Sequence, residues 1–215
     1  MWSNPLFDAH GTPIGAIFER DRARVDGHIL WAAQETRQAD TQVVRVRKGQ
    51  WGWILSPPED APWAEAVRKS GKPPNYFIAH SDNPDSATVS VNRGSKLFPI
   101  WVDVDVDGSE FGRMLAAVEN SARAIRRNPA GEHVFVMCSS AAPNASTARM
   151  AADYLHSTGT VTGNIHAPID EAVTAAPRGD RMPTWLGVQR PPGSGGKLFE
   201  TYPGPGNTPA PPEGS

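Results

Sequence analysis

The sequence predicts an α/β fold in which helices flank a mostly parallel sheet. Two apolar segments, 75–80 and 133–138, have the composition of buried parallel strands. Between them, residues 109–127 carry apolar side chains at helical spacing. A further helix and strand follow the second segment, and this alternation is typical of a parallel sheet that is covered on both faces.

Composition and charge restrict the classes of function. The 215-residue chain is 39% hydrophobic and 20% charged, as is usual for a globular domain. A formal net charge of −2 without a basic block argues against nucleic-acid binding. Since no apolar run reaches about 18 residues, we expect no membrane span. The single cysteine has no thiol partner for a disulfide or a Cys-rich zinc site, so we expect neither a metal nor another cofactor.

The first 74 residues are predicted to be an extension that packs on the core and contains a β-hairpin. Valine and aromatic residues flank a glycine-containing turn at 48–50, as in many hairpins. We expect Trp51, Trp53 and Trp63 to pack together in a core. The predicted elements are a strand at 13–19, a helix at 22–39 interrupted near Gly27, and hairpin strands at 42–47 and 51–56.

Residues 75–189 are predicted to form the α/β core. In the helix at 109–127, Ser109 is a suitable N-cap, while Pro129 and Gly131 end the helical pattern. The remaining predicted elements are strands at 75–80, 88–92, 97–106, 133–138, 160–167 and 185–189, and a helix at 145–156.

The segment 190–215 has a different composition. Seven prolines and six glycines occupy half of its 26 positions, which leaves little apolar surface to offset chain entropy. We predict an edge strand at 197–202 and a disordered or polyproline tail at 207–215. The sequence starts without the charged and apolar regions of a signal peptide, so secretion without a cleavable signal and a cytoplasmic location both stay open.

The segment Asp103-Val104-Asp105-Val106-Asp107-Gly108 matches the start of an EF-hand loop. Position twelve of that loop would be Met114, where calcium binding needs a bidentate glutamate. Alternating valine and aspartate is also the pattern of a half-buried strand. The strand is favoured, and an acidic row that faces a substrate remains an alternative.

The candidate site combines His80 with Cys138, the only thiol. Each residue ends a predicted parallel strand, and carboxyl ends of such strands are where sites form in open α/β sheets. A thiol needs a nearby base to act as a nucleophile, and an imidazole can supply it. The alternative is that both residues only pack in the structure. His166, near the end of strand 160–167, is one more candidate.

The motifs around these two residues resemble a known family. They are Tyr76-Phe77-Ile78-Ala79-His80-Ser81-Asp82 and Val134-Phe135-Val136-Met137-Cys138-Ser139-Ser140, followed by an alanine-rich helix and Ala167-Pro168. Together they resemble caspase-like (clan CD-type) cysteine peptidases, and more closely the caspase-like domains of secreted bacterial polymorphic toxins and effectors. The resemblance covers residues from about 75 to 168.

The resemblance implies a role for each residue of the site. Cys138 would attack a carbonyl, His80 would carry the proton, and the backbone amides of Ser81 and Cys138 would form the oxyanion hole. Apart from the resemblance, we expect Asp82, Ser139 and Asp170 to contact the substrate, a protein or peptide, because Asp170 and Glu171 lie in a loop after strand 160–167 that could wall a pocket. A cognate inhibitor or immunity protein would be a further partner.

Two departures from the family pattern leave a second function open. Ser81 stands where the family has glycine, and the bulky Met137 stands where a small residue is usual. The first hypothesis is a cysteine hydrolase of endopeptidase type, acting as a secreted effector or toxin domain. The second is a non-catalytic interaction module or an inactive caspase-like pseudoenzyme.

Overall fold

A computed structural model describes residues 1–95, 97–176, 178–179, 181–190, 193 and 195–207. Helices lie on both faces of a central sheet, so the predicted α/β class with a mostly parallel, helix-flanked sheet is confirmed. The α-helices in the described part of the chain are α1 (Arg22–Ala32), α2 (Ala64–Ser70), α3 (Gly108–Ala117), α4 (Glu119–Arg127) and α5 (Thr147–Ser157).

The central sheet has six strands. Its four inner strands run parallel in chain order, and an antiparallel strand closes each edge. In spatial order the strands are β1 (Asn4–Phe7), β2 (Pro13–Ile17), β6 (Asn75–Ile78), β9 (His133–Val136), β10 (Ile165–Pro168) and β13 (Phe199–Tyr202). The predicted edge strand at 197–202 is therefore present as β13, whereas residues 208–215 of the predicted tail lie outside the described residues.

Two smaller sheets complete the architecture. One has the order β11 (Ala172–Ala175), β12 (Trp185–Gln189), β3 (Gln42–Gly49), β4 (Gly52–Leu55), with β5 (Glu59–Asp60) also paired to β3. The other is the antiparallel hairpin of β7 (Ala87–Asn92) and β8 (Trp101–Val106). In this hairpin the hydroxyls of Ser90 and Thr88 donate to the carboxylates of Asp103 and Asp105, which confirms the strand interpretation of the acidic segment.

Residues before 74 are integral to these sheets. β2 pairs in parallel with β6, and β3 pairs in parallel with β12, so the predicted boundary at residue 74 falls between paired strands. The hairpin predicted at 42–56 is confirmed as β3 and β4. The three tryptophans do not pack together, because Trp63 is fully buried while Trp51 is 68% exposed.

Two helix predictions need correction. α1 continues through Gly27 and ends at Ala32, where a helix to residue 39 had been expected. The expected helix at 109–127 is two helices, because Val118 has extended backbone angles. The N-cap is Asp107 and not Ser109, since the Asp107 carboxylate accepts a hydrogen bond from the Glu110 amide at 2.8 Å.

Glycines allow α3 and α5 to pack closely. A Cβ built on Gly112 would lie 2.9 Å from the carbonyl oxygen of Ala151, and one on Gly108 would lie 2.1 Å from that of Thr147. Both pairs are spaced by four residues and so lie on facing sides of the two helices. The backbone of α5 therefore leaves no room for a side chain on this side of α3.

Alanine substitution at two helical glycines should have opposite effects on stability. Gly27 lies in α1 with no atom within 4 Å of a built Cβ, so Gly27→Ala should raise the free energy of unfolding by about 0.5–1 kcal/mol through helix propensity. Gly112→Ala should lower it by roughly 1–3 kcal/mol because the backbones must separate. Urea unfolding of both variants checks this, and a gain in stability at Gly112 would contradict the packing argument.

His133 is a buried histidine at the start of β9. The side-chain amide of Asn75 lies 3.3 Å from its Nδ1 atom, and the ring stacks on Phe77 at a centroid distance of 6.1 Å. Burial lowers the pKa of His133 to about 4 from an ordinary 6.5. Folding therefore favours the neutral imidazole.

Acidification should destabilise the protein through His133. Between pH 6.5 and 4 the unfolded chain binds this proton more readily than the folded chain, so the stability contribution is complete above that window and is lost as pH falls through it. The loss should approach 3 kcal/mol for a shift of this size. Urea unfolding at pH 7 and pH 4 should show a smaller decrease in His133→Leu than in wild type, with the exposed His10→Ala as control. An equal decrease in His133→Leu would contradict this origin.

Candidate active site

The sheet places His80 and Cys138 beside each other. β6 and β9 are adjacent and parallel, and the register ends at Ile78 opposite Val136. His80 and Cys138 each follow two residues later, at the carboxyl edge of the sheet. Both line one cavity of about 420 Å³. The sequence-based expectation that these strands lie side by side is confirmed.

Side-chain alternation directs both residues to the same face. Ala79 and Met137 pack into the core under α3 and α5, on one side of the sheet. Because successive strand residues point to opposite faces, their neighbours His80 and Cys138 turn to the other side, where α1 lies. The bulky Met137 is therefore a core residue, fully buried, and does not fill the cavity.

His80 is held by Asp82. The Nε2 atom of His80 lies 2.8 Å from Oδ1 of Asp82, and the imidazole is 40% exposed. The His80 carbonyl accepts a hydrogen bond from the Thr88 amide, which fixes the backbone at the base of the β7–β8 hairpin. With the Nε2 proton directed to Asp82, Nδ1 is the basic nitrogen, and it has no hydrogen-bond partner within the described ranges. Asp82 thus orients the imidazole, and a contact between Asp82 and a substrate stays a prediction.

Cys138 is partly buried at the inner wall of the cavity. Its Sγ atom lies 3.9 Å from the carbonyl oxygen of Ala172, at the start of β11. Burial raises the pKa of the thiol, and the nearby Glu171 carboxylate raises it further. The thiol is therefore protonated at neutral pH.

Ser139 and Asp170 shape the turn after Cys138. Ser139 has φ 52°, a left-handed conformation that is rare for a residue other than glycine. Its amide donates to the Asp170 carbonyl at 3.0 Å, while the Asp170 carboxylate accepts from the Glu171 amide at 2.9 Å. Neither residue lines the cavity, and the Asp170 carboxylate also lies 3.9 Å from Nε of Arg190. A substrate contact by Ser139 or Asp170 stays a prediction.

Ser81 holds the loop that follows His80. Its hydroxyl donates to the carbonyls of Asn83 and Ser86 at 2.7 and 2.9 Å, and the residue is 8% exposed. Across the described part of the chain, the backbone amides of Ser81 and Cys138 have no hydrogen-bond acceptor from another residue. Cys138 lines the cavity, so its amide is available to an oxyanion there, whereas Ser81, the second donor that the family resemblance implies, does not line the cavity.

A second histidine of the cavity was missed from the sequence. His28, on α1, lines the same cavity, and its Nδ1 atom lies 3.5 Å from the Thr174 hydroxyl. Burial, aided by the charge of Arg24, lowers the pKa of His28 to about 4, so the imidazole is neutral at pH 7. The spacing of Arg24, Gly27 and His28 places them on one helix face, and this periodicity is the signal that could have found His28.

His166, the further candidate, belongs to the core. It is 1% exposed, its Nε2 atom lies 2.6 Å from Glu132 Oε2, and its Nδ1 atom lies 3.0 Å from the Thr201 hydroxyl. The residue does not line the cavity at Cys138. Its position in the middle of β10 explains this, since residues before the end of a strand pack within the sheet.

Other kinds of site find no support in the described ranges. No group of three or more histidine, cysteine, aspartate or glutamate side chains there could hold a metal ion. Among the helices in those ranges, none has the length and apolar character needed to cross a membrane.

No relative of this chain is found among known proteins. Neither a family model, nor a curated protein sequence, nor a solved structure matches this chain. The resemblance to caspase-like peptidases therefore rests on the short motifs around His80 and Cys138, and the function must be inferred from the site itself.

Proposed function

We propose that the protein is a cysteine hydrolase that cleaves a peptide bond with Cys138 as nucleophile and His80 as base. The observation that carries the proposal is the pairing of β6 with β9, which delivers the only thiol and an imidazole to one cavity. The base is in turn oriented by a third group, Asp82, as is usual in nucleophilic sites.

The reaction would proceed in two steps. As the Cys138 sulfur attacks the substrate carbonyl carbon, Nδ1 of His80 takes the thiol proton, and the oxygen develops negative charge beside the amide of Cys138. The family resemblance implies the amide of Ser81 as a second donor. The C–N bond then breaks, and the proton passes from His80 to the departing amine, which leaves a thioester. Water adds to the thioester, loses a proton to His80 and releases the acid, and the thiol is regenerated.

A free strand edge supports a peptide as the substrate. β11 pairs only with β12 among the described strands, and the Glu171 carbonyl accepts from the Gln189 amide on that side. The Ala172 carbonyl faces the other way, toward Cys138. By strand alternation, the backbone groups of Thr174 share this outer edge, and Thr174 also lines the cavity. An extended peptide could pair there with its carbonyl beside the thiol.

The finer assignment is a caspase-like endopeptidase that acts as a secreted effector or toxin domain. It is supported by the motifs at His80 and Cys138 and by their placement on neighbouring parallel strands. A cognate inhibitor or immunity protein would then cover the cavity.

Peptide cleavage should require both members of the dyad. We expect wild type to release fluorophore from a library of fluorogenic tetrapeptides. Cys138→Ala should abolish this, and His80→Ala should lower kcat/KM by roughly 10²–10⁴-fold, the usual contribution of general-base catalysis. His10→Ala is the matched control, because His10 is exposed and does not line this cavity. Full activity in Cys138→Ala would eliminate the nucleophile assignment.

A pseudoenzyme is the second candidate, and the state of the thiol favours it. Burial raises the pKa of Cys138, whereas many catalytic cysteines have a lowered pKa. The His80 nitrogen that forms a hydrogen bond does so with Asp82 and not with the thiol. A protein of this kind would use the cavity to bind a peptide without cleaving it.

The rate of alkylation of Cys138 should depend on pH as expected for a buried thiol. Because burial raises the pKa, the rate with iodoacetamide should be half-maximal above the ordinary value of about 8.5. Mass spectrometry of the intact protein follows the reaction directly, since Cys138 is the only thiol. A half-maximum below pH 7 that is lost in His80→Ala would contradict this and would indicate a preformed thiolate–imidazolium pair.

A further inference from the structure

The charges of the side chains that line the Cys138 cavity do not sum to zero. Nη1 of Arg24 lies 2.9 Å from Oε1 of Glu19, so this pair adds no net charge. His28 is neutral at pH 7 because burial lowers its pKa to about 4. Glu171 is exposed, and its carboxylate has no hydrogen-bond or ion-pair partner among the residues described. Apart from the base His80, the cavity therefore carries one uncompensated negative charge.

The charges of the cavity change the pKa of the thiol. Glu171 raises the pKa of Cys138, while Arg24 lowers it by a smaller amount. Of the two side-chain charges that act on the thiol, the negative one of Glu171 therefore has the larger effect at Sγ. A field of this sign favours a cationic group beside the reacting bond.

An aromatic wall lies in the same cavity. Trp53, on β4, is partly buried against Val44 and Val46 and still lines the cavity. An indole face binds the alkyl stem of lysine or arginine and attracts its charged end. The carboxylate of Glu171 and the indole of Trp53 can therefore bind the charged end and the alkyl stem of such a side chain.

The negative field continues into a neighbouring cleft. A second cavity of about 140 Å³ shares Glu19 and His80 with the first and is also lined by Asp21 and Asp103. Arg20 lies there as well, but its guanidinium is 5.7 Å from the Trp101 ring centroid and lies over that ring. With Glu19 paired to Arg24, the carboxylates of Asp21 and Asp103 still exceed the single guanidinium of Arg20, so this cleft carries a net negative charge.

We propose that the cavity selects a lysine or arginine side chain next to the bond that Cys138 attacks, with Glu171 binding the charge and Trp53 the stem. This rests on the proposed function for the role of Cys138. The charge preference itself does not depend on catalysis and can be measured separately.

Three methanethiosulfonate reagents of similar size test the charge preference at the thiol. They carry an ethylammonium, a hydroxyethyl or an ethylsulfonate group, and each transfers its thioalkyl group to Sγ and releases methanesulfinate. Rates of labelling of the folded protein at low ionic strength are divided by rates for the urea-unfolded chain. After this correction, we expect the ammonium reagent to label Cys138 about five times faster than the hydroxyethyl reagent. We expect the sulfonate reagent to label it more slowly than the hydroxyethyl reagent.

Glu171→Gln should remove most of the ammonium preference, whereas Glu65→Gln, an exposed change outside the cavity, should leave it intact. Salt should weaken the preference in wild type. Equal ratios for all three reagents, or a preference for the sulfonate, would overturn the proposal. The second result would assign recognition to Arg24.

Protection by peptide aldehydes tests the side chain itself. An aldehyde adds reversibly to a thiol, so a tripeptide ending in lysinal should protect Cys138 from labelling at about tenfold lower concentration than one ending in norleucinal. Norleucine has the same stem without the charge. Equal protection by the two aldehydes would overturn the proposal. Absence of cleavage of any library peptide, together with lysinal protection, would refute the hydrolase and leave the charge assignment standing.

Discussion

The parallel register of β6 on β9 is the constraint on which the candidate site depends. It ends with Ile78 opposite Val136, and the two reactive residues follow at equal distances. A slip by one residue would turn one of them to the opposite face of the sheet. The register is specified by different contacts on the two faces. Phe77 and Phe135 pack with Phe111 on one side, while Tyr76 meets Trp31 edge-on at 4.9 Å on the other.

The residues before 74 supply five of the fourteen residues that line the cavity. α1 brings Arg24 and His28, and β4 brings Trp53. The second sheet holds these parts together, because β3 pairs in parallel with β12 and so positions β11 beside Cys138. The guanidinium of Arg45 on β3 also donates to the carbonyl of Gly196, at 2.6 Å. The site is therefore formed by residues from both sides of position 74, and the segment 75–189 alone would present the thiol without Arg24, His28 and Trp53.

The parts of the site that sequence could predict are those with a strong local pattern. β6 and β9 are continuous apolar runs, and such runs identify buried parallel strands and the residues at their ends. His28 escaped because α1 buries only Val25, Trp31 and Ala32, so its hydrophobic periodicity is weak. The pairing of β3 with β12 could not be predicted, because contacts between strands so far apart in the chain leave no local signal in the sequence. The break at Val118 could not be predicted, because the helical spacing of apolar residues continues across Val118 although the helical backbone ends there.

The two members of the dyad occupy unequal environments, and this difference bears on how the site would work. Burial keeps the Cys138 thiol protonated, while His80 stands 40% exposed and bound to Asp82. A peptide along β11 would exclude water from the space between sulfur and imidazole, where electrostatic interactions then become stronger. Exclusion of water also disfavours a free thiolate, so the proton would leave the sulfur only as it attacks the carbonyl, and the carboxylate of Asp82 would stabilise the imidazolium. On this mechanism the nucleophile forms when substrate is bound, and the raised pKa of the free thiol is compatible with catalysis.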